Sequence, residues 1–414
     1  MRRQWRKHID IMWNRLITKI PEFDFKDKRF VADPYPTYKK LRKTSPIFQL
    51  GSGAWVLLKH EDVLNALSDN RLSNVPSPYA LLKKENRDRY VSADVAHNIL
   101  PFMDSPKHDI PRRNVVQAYR NTMKESRLDL ESIAADLIES SISVGNIEVL
   151  EDFARPYAFA VMSDLFDIPF EDWKRLEKFC KAFFYLFMPI PSQEVLQEVE
   201  EGLKAFRNYW KEKLDERRGG ENNDLLSQLA NAGTGGQALT DSQVIDNAML
   251  LFADGIENVD RGIANAILCL VDHPKQWRLL KEDGSLIPQA VEECLRFESP
   301  AQFITRIAKE DIELEGQHIK KSMPIFLVLG SANRDPSVFQ NPDRFSIKRE
   351  TNKHLSFGRG KHTCVGSGLV NLEIAAVLKV LTNRIKAVKR NQRELHWMPR
   401  QGHRWLRELT IEFS

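Results

Sequence analysis

From Thr240 to the His273-Pro274 dipeptide the chain keeps a helical pattern without a proline, a length well above the mean for globular helices. Thr240 followed by Gln243 is a capping-box signature and fixes where this helix starts. A helix of that length predicts a crossing of the core, with the rest of the fold wrapped around it. Its middle departs from the apolar pattern: Ala248-Met249-Leu250-Leu251-Phe252-Ala253 runs into Asp254-Gly255-Ile256-Glu257-Asn258. A glycine inside a helix costs about 1 kcal/mol, and each buried unpaired polar group roughly 1 to 3 more. Such a concentration of local cost marks a site that lines a cavity. The plainer alternative is that Asp254, Glu257 and Asn258 meet water or partner side chains at a kink.

Around this helix the pattern is mostly helical from about Asp109 to His273. Short β-like runs occur around Ile47 to Leu58, Ile312 to Leu329 and Leu406 to Phe413. The class expected is mainly α with a minor β region. At 414 residues two domains are possible on length alone. No repeat interrupts the chain, however, and the loose stretches at Arg217–Asn223 and Gly233–Gly236 read as surface connections. The expectation is one domain over residues 22–414, preceded by an extension over 1–21.

That extension has its own periodicity. Trp5, Ile9, Met12, Trp13, Leu16 and Ile20 recur at helical spacing among Arg2, Arg3, Arg6, Lys7, Arg15 and Lys19, and Pro21 closes the segment. It reads as a basic amphipathic helix packed on its own body, with docking to a membrane surface or an acidic partner as the lesser reading. It has no apolar h-region and so is not a signal peptide. Lys plus Arg number 61 against 57 Asp plus Glu, a balance of +4 that does not call for nucleic acid. Mean hydropathy is −0.42, and no apolar run approaches the ~18 residues of a membrane span.

The four cysteines, Cys180, Cys269, Cys294 and Cys364, are far apart and form no C-x-x-C pair. That spacing suits neither a disulfide framework nor a zinc ribbon and implies a reducing cytoplasm. Cys364 differs in its surroundings. It lies in Phe357-Gly358-Arg359-Gly360-Lys361-His362-Thr363-Cys364-Val365-Gly366, just before a helical segment from Gly368 through Leu378. The glycines permit a tight loop that approaches a flat ligand, and the helix start favours a thiolate. A nucleophile remains open at this point, whereas zinc would need further ligands at regular spacing.

This string resembles the haem-binding loop of the cytochrome P450 family, and the resemblance spans nearly the whole chain. Glu293 and Arg296 look like the family's Glu-x-x-Arg pair, at a spacing that puts both on one helix face, and Arg344 in Pro342-Asp343-Arg344-Phe345 matches the third member of that structural triad. Asn333-Arg334-Asp335-Pro336, Phe339 and Phe345 fit the stretch before the loop, while Ser322 replaces a glycine usual at its turn. The resemblance implies a triangular, mostly helical single domain, with haem b (iron protoporphyrin IX) between the long helix and the Cys364 loop. Cys364 would bind the iron and Phe357 would belong to the haem site. His108, Arg112, Arg306 and His362 would face the propionates, where charge-assisted hydrogen bonds are strong.

In the family the long helix carries an acid followed by threonine beside bound O2. Here the matching pair is Glu257 and Asn258, and Asp254 replaces a small residue before Gly255. An asparagine amide donates and accepts hydrogen bonds but does not relay a proton as a hydroxyl does. Asp254 either adds a carboxylate to the proton path or pairs on the far face. Glu257, Asn258 and Asp254 are thus the candidate catalytic residues.

The activity expected is NAD(P)H- and O2-dependent hydroxylation or epoxidation of a small apolar or aromatic substrate, with natural-product biosynthesis as its setting. No flavin or iron-sulfur domain is fused, so electrons would come from ferredoxin and ferredoxin reductase, or flavodoxin. Arg359, Lys361 and Lys107 offer a basic face for an acidic donor, unless they are ordinary surface charge. Asn258 motivates a second reading, oxidative coupling of phenolic or aromatic substrates without oxygen insertion. A non-catalytic haem-binding protein is the third. The aromatic run Phe179–Met188 suits a flat apolar ligand or plain core. Ser77 to Leu100, Ile256, Ala301 to Ile304 and Gly402-His403-Arg404 would line or gate the cavity by resemblance. Arg404 or His403 would meet an anionic group or, more simply, solvent.

Overall fold

The structure, a computed structural model, describes residues 23–25, 27–75, 82–188, 190, 192–220, 222–233, 235–350 and 352–413. The basic segment 1–21 lies outside them. Chain contacts divide the protein into two units. The first takes the chain up to Leu72 with Leu130–Tyr157 and Asn258–Ser414, and the second takes Ser73–Asp129 and Ala158–Glu257.

The first unit begins with α1 (Lys28–Ala32), whose first turn is capped by the Asp27 carboxylate, and α2 (Tyr35–Thr44), which starts after Pro34. An antiparallel pair follows, β1 (Ile47–Gln49) and β2 (Trp55–Leu57), with Phe48 opposite Val56. The next helix, α3 (His60–Ser68), receives its cap from far along the chain, because the His60 N–H donates to the Asp335 carboxylate at 2.9 Å. Strand β3 (Leu72–Ser73) ends the segment.

In the second unit come α4 (Val91–Asn98) and α5 (Asp109–Glu125). The chain then returns through α6 (Leu130–Val144) and β4 (Asn146–Glu148) to the first unit, and α7 (Arg155–Phe166) carries it back again. The second unit is completed by α8 (Trp173–Phe183), α9 (Gln193–Arg217), α10 (Leu225–Ala230) and α11 (Asp241–Glu257). Its core is aromatic: Phe166, Phe206 and Trp210 all lie within 6.4 Å of the Phe252 ring centre.

The remainder of the chain builds the first unit. Helices α12 (Val259–Val271), α13 (Pro274–Glu282) and α14 (Ile287–Phe297) are followed by β5 (Ile304–Ala308), β6 (Ile312–Leu314), β7 (Gln317–Ile319) and β8 (Pro324–Leu327). The short α15 (Leu329–Ala332), then α16 (Ser367–Arg384), β9 (Val388–Arg390) and β10 (Thr410–Phe413) complete it. One sheet has the order β1-β2-β8-β5-β3, a second β4-β10-β9, and β6-β7 form a separate hairpin. Trp55, Leu57, Ile325 and Leu327 from the first sheet share a core with Val63 and Leu67 of α3.

The mainly α class with a minor β part is as expected, and the expected β runs hold strands β1, β2, β6, β7, β8 and β10. The capping box forms in both directions: the Gln243 N–H donates to the Thr240 hydroxyl at 3.3 Å and the Thr240 N–H to the Gln243 side chain at 3.0 Å. The expected unbroken helix does not form. It stops at Glu257 and restarts at Val259, with a turn at Asn258. Asparagine is a weak helix former, and a glycine three residues earlier weakens the same stretch.

Ser322, where a glycine was anticipated, sits at φ +68° in the turn before β8 while its N–H donates to the Ala308 carbonyl. An L-residue in the left-handed region costs about 1 kcal/mol or more, and glycine avoids most of it. Ser322→Gly should therefore raise stability by up to about 1 kcal/mol, read as the urea midpoint. An unmoved or lowered midpoint would show that the turn carries no such strain.

Candidate functional site

Three of the four cysteines are consumed by helix packing. Cys180 in α8, Cys269 in α12 and Cys294 in α14 are buried, and burial pushes the Cys180 and Cys269 thiols well above the ordinary range. Cys364 alone is partly exposed. A buried, protonated thiol is inert, so the ligand-competent sulfur is the one in the loop.

The loop is shaped by its own backbone. The Cys364 N–H donates to the Phe357 carbonyl at 2.9 Å, the Gly358 N–H to Leu355 at 2.8 Å and the Thr363 N–H to Gly360 at 3.1 Å. Gly358 (φ +67°) and Gly360 (φ +76°) take the positive angles these bonds require. A Cβ on Gly360 would crowd the Ser68 hydroxyl at 3.0 Å, so with its positive φ this position favours glycine where the loop seats on the end of α3. Two residues after Cys364, Gly366 caps α16, whose unpaired N–H groups and dipole favour negative charge on the sulfur.

Behind the loop lies a polar lattice. Asn333 accepts from the Leu355 N–H at 2.7 Å and donates to the Ser356 hydroxyl at 2.9 Å, and Ser356 in turn donates to the Leu295 carbonyl of α14. Glu292 of α14 accepts from Asn371 of α16 at 2.9 Å and pairs with His354 at 3.2 Å, contacts that hold its carboxyl below the usual range. The expected Glu293–Arg296 pair is present, bidentate at 2.7 and 2.9 Å, with both residues buried. Its third member is not Arg344. That side chain is exposed, and only its carbonyl takes part, as an acceptor from Arg296 and Arg349. Arg349 fills the place, its guanidinium 2.9 Å from Glu293. Five residues after Arg344, it follows a turn that no local pattern announced.

The remaining candidates divide between the units. Arg306 is buried on β5 opposite Ile325, and its guanidinium donates to the Thr305 carbonyl at 3.0 Å. It belongs to the first unit with Phe357, His362, Cys364 and Asn258, the first three on or beside the loop. His108 and Arg112 belong to the second. His108 is buried at the start of α5, and the Arg112 N–H donates to its carbonyl, so their side chains share one helix face one turn apart.

Asp254 and Glu257 close α11 in the second unit. Asp254 is half-buried. Glu257 is 3 % exposed, and its Oε1 has no hydrogen-bond partner among the described residues. Its carboxylate also raises the nearby Cys180 thiol, after burial itself. Gly255 has a packing reason: a Cβ there would meet the Met162 sulfur of α7 at 2.5 Å. The glycine that signalled a site in sequence thus serves close helix contact as well.

Two lining expectations change. Arg404 is turned away from solvent, and the anion it meets is the chain's own: it pairs with Glu298 at 2.8 Å, donates to the Val31 and Ala32 carbonyls and stacks 3.4 Å over Trp397. His403 is pushed down to about 4 by burial and then by Arg400, which keeps its ring uncharged near neutral pH. Within the aromatic run Phe179–Met188, Cys180, Phe183, Phe184 and Leu186 are core, whereas Phe179, Tyr185 and Phe187 are partly exposed. Residues 76–81 of the expected Ser77–Leu100 rim lie outside the described residues.

The donor set fits a haem: one accessible thiol at a helix start, in a glycine loop that leaves room for a flat group beside it. The Gly358 and Gly368 positions are open, with nothing closer than 3.8 Å to a Cβ at the former and nothing within 4 Å at the latter. Among the described residues no cluster of three or more His, Cys, Asp or Glu offers a competing metal site.

Comparison with known proteins agrees. The cytochrome P450 family model matches residues 112–386. The chain is 32% identical over 391 residues to a biotin biosynthesis cytochrome P450 of Bacillus subtilis, covering 93% of this chain and 97% of that protein. It is 31% identical to the cytochrome P450 monooxygenase PikC of Streptomyces venezuelae, covering 93% and 92% of the two chains. Among solved structures, P450BioI in complex with a hexadec-9Z-enoic acid ligated acyl carrier protein superposes with a TM-score of 0.86 at 32% identity, over 93% of this chain and 99% of that one. These relatives are enzymes named for monooxygenation and biosynthesis, which sets aside the non-catalytic reading. With loop, buried ion pair and full-length likeness in agreement, the chain belongs to the cytochrome P450 family.

Proposed function

We propose that the protein is a biosynthetic monooxygenase that inserts oxygen from O2 into an apolar organic substrate, an acyl chain or a flat ring, using electrons from a separate ferredoxin or flavodoxin. The observation that carries this reading is the Cys364 loop, closed by its own hydrogen bonds around one accessible thiol. A haem held there by the Cys364 sulfur would supply O2 activation. His108, Arg112, Arg306 and His362 would hold the propionates. Gly358, open on its Cβ side, would let backbone approach the ring, while Gly360 seats the loop on α3. Glu257, buried at the end of α11, offers its Oε1 as the site where a proton is held. Long-chain acyl substrates are supported by the acyl-carrier complex of the neighbouring structure.

The test is a screen for the haem spin-state shift with free and carrier-bound fatty acids and with aromatic acids, followed by turnover under labelled O2. Product carrying one labelled oxygen supports monooxygenation; a coupled product with no label overturns it in favour of oxidative coupling. Asn258 is the reason to keep that second reading. Asn258→Thr places a hydroxyl beside Glu257 and should cut peroxide released per electron pair by severalfold. An unchanged ratio of peroxide to product would remove Asn258 as the determinant. Arg359 and Lys361 are exposed on the loop, and reversing both charges should slow reduction by ferredoxin at low salt.

A further inference from the structure

All thirteen residues of α12 are buried, and only two of them carry charge: Asp260 and Arg261, in its first turn. A helix apolar all round is buried without help from charge, and an ion is costly to desolvate unless a partner meets it. Neither residue is therefore needed to bury this helix. They stand just after Asn258, where the long helix breaks.

Both charges are met, from different sides. Asp260 is fully buried, and its carboxylate accepts from the Arg155 guanidinium at 3.2 Å. Arg155, also buried, opens α7 directly after the π-helical turn Leu150–Ala154 and binds the exposed Glu151 carboxylate as well. Arg261 turns elsewhere: it donates to the Leu406 carbonyl at 2.9 Å, and its guanidinium lies 5.8 Å from the centre of the buried Trp405 ring. Adjacent residues on a helix point about 100° apart, so the two side chains grip separate segments. Asp260 also stands 3.6 Å from Arg261, which leaves one acid shared by two arginines. The helix dipole favours an acid in this first turn.

We infer that Asp260, Arg155 and Arg261 are positioning residues: they clamp the start of α12 and so set where Asn258 stands. Were α12 to slip by one residue, or to turn so as to continue α11 without a break, both charges would swing together by about 100° and leave their partners. A buried charge without its partner is strongly destabilising, so that movement is barred. Apolar packing is non-directional and fixes no such register, whereas charge-assisted hydrogen bonds are directional and do. Asn258 is tied to the clamped turn through its backbone, because its carbonyl accepts from the Gly262 N–H at 2.9 Å, the first rung of α12. The consequence for oxygen chemistry rests on the proposed place of Asn258 in the site; the clamp itself does not.

The test uses the haem-loaded full chain and two readouts other than turnover: amide exchange over residues 259–263, and the infrared C–O stretch of the reduced protein with CO as the probe of nearby polar groups. Asp260→Asn keeps the shape and removes the charge. It should speed exchange roughly tenfold and displace the C–O band, as Asn258→Ala displaces it. Arg155→Gln should repeat both effects, and Arg155→Lys, which keeps the charge, only a fraction of them. Each neutral single variant strands a buried charge and lowers stability, so the double variant Arg155→Met, Asp260→Leu removes the pair together, an exchange that is often neutral for stability. It should recover the wild-type urea midpoint and still show the displaced band. A band that returns with the midpoint would reduce the pair to a stabilising role and overturn the inference, as would wild-type exchange in Asp260→Asn. Faster exchange in Asp260→Asn beside a band that Asn258→Ala leaves unmoved would uphold the clamp and remove Asn258 from the oxygen side.

Discussion

Cys364→Ser should abolish the thiolate signature of the reduced, CO-bound protein and bring monooxygenase turnover below detection, while Cys180→Ser, Cys269→Ser and Cys294→Ser retain both. The contrast follows from environment. The other three sulfurs are buried between helices, and Cys294 is satisfied by the Ala266 carbonyl. Cys364 is partly exposed, its own N–H anchored to Phe357, two residues before a helix whose N-terminal N–H groups favour an anion. A serine would keep that backbone but would not supply a thiolate. Haem content measured beside the spectrum separates loss of the axial sulfur from loss of the fold. A Cys364→Ser protein that kept the thiolate spectrum would assign the iron to another cysteine.

Glu293→Gln should cost about 3 to 5 kcal/mol of stability, the range found when one partner of a buried ion pair is removed. Glu293 answers two guanidiniums, Arg296 and Arg349, and also accepts from the Ser346 N–H at 2.9 Å. Arg296 spends its one remaining nitrogen on the Asn333 and Pro342 carbonyls, both at 2.9 Å, so it cannot turn toward water when its acid is gone. Burial already pushes Arg296 below the usual guanidinium range, with Glu293 opposing that shift. The amide leaves this cost unopposed. The loss appears in the urea midpoint, together with weaker haem retention, because Asn333 joins the same network to Leu355 and Ser356 at the entrance to the cysteine loop. Arg344→Ala should change the midpoint little, since only its backbone is used. An Arg344→Ala loss as large as that of Glu293→Gln would restore it as the triad's third member.

How much of this was legible in sequence depended on distance along the chain. Contacts closed within a few residues were readable: the Thr240–Gln243 box, the Glu293–Arg296 pair at one helical turn, and the glycine loop before Cys364. Contacts between remote segments were not. Arg349 meets Glu293 across 56 residues, and Asp335 caps α3 across 275. Arg404 illustrates the same limit from the other side. A cation in a Gly-His-Arg stretch reads as surface, yet Glu298, two backbone carbonyls and a tryptophan ring converge on it from three other parts of the chain. At Asn258 sequence marked the right residue but not its form, because whether a polar interruption bends, breaks or merely decorates a helix is decided by neighbouring packing. Ser322 was flagged by resemblance, and the structure supplied the reason in its positive φ.

The chain's repeated passage between its units has a consequence for synthesis. Strand β4 forms its edge with Asn146–Glu148, and its partner is β10, with Ile147 opposite Ile411. At ribosomal rates of about 5 to 20 residues per second, the partner emerges tens of seconds later. Throughout that interval the nascent protein carries an open strand edge whose partner, Thr410–Glu412, has yet to be made. A chain released early, even a few residues short of β10, would keep that edge open and present it to quality control.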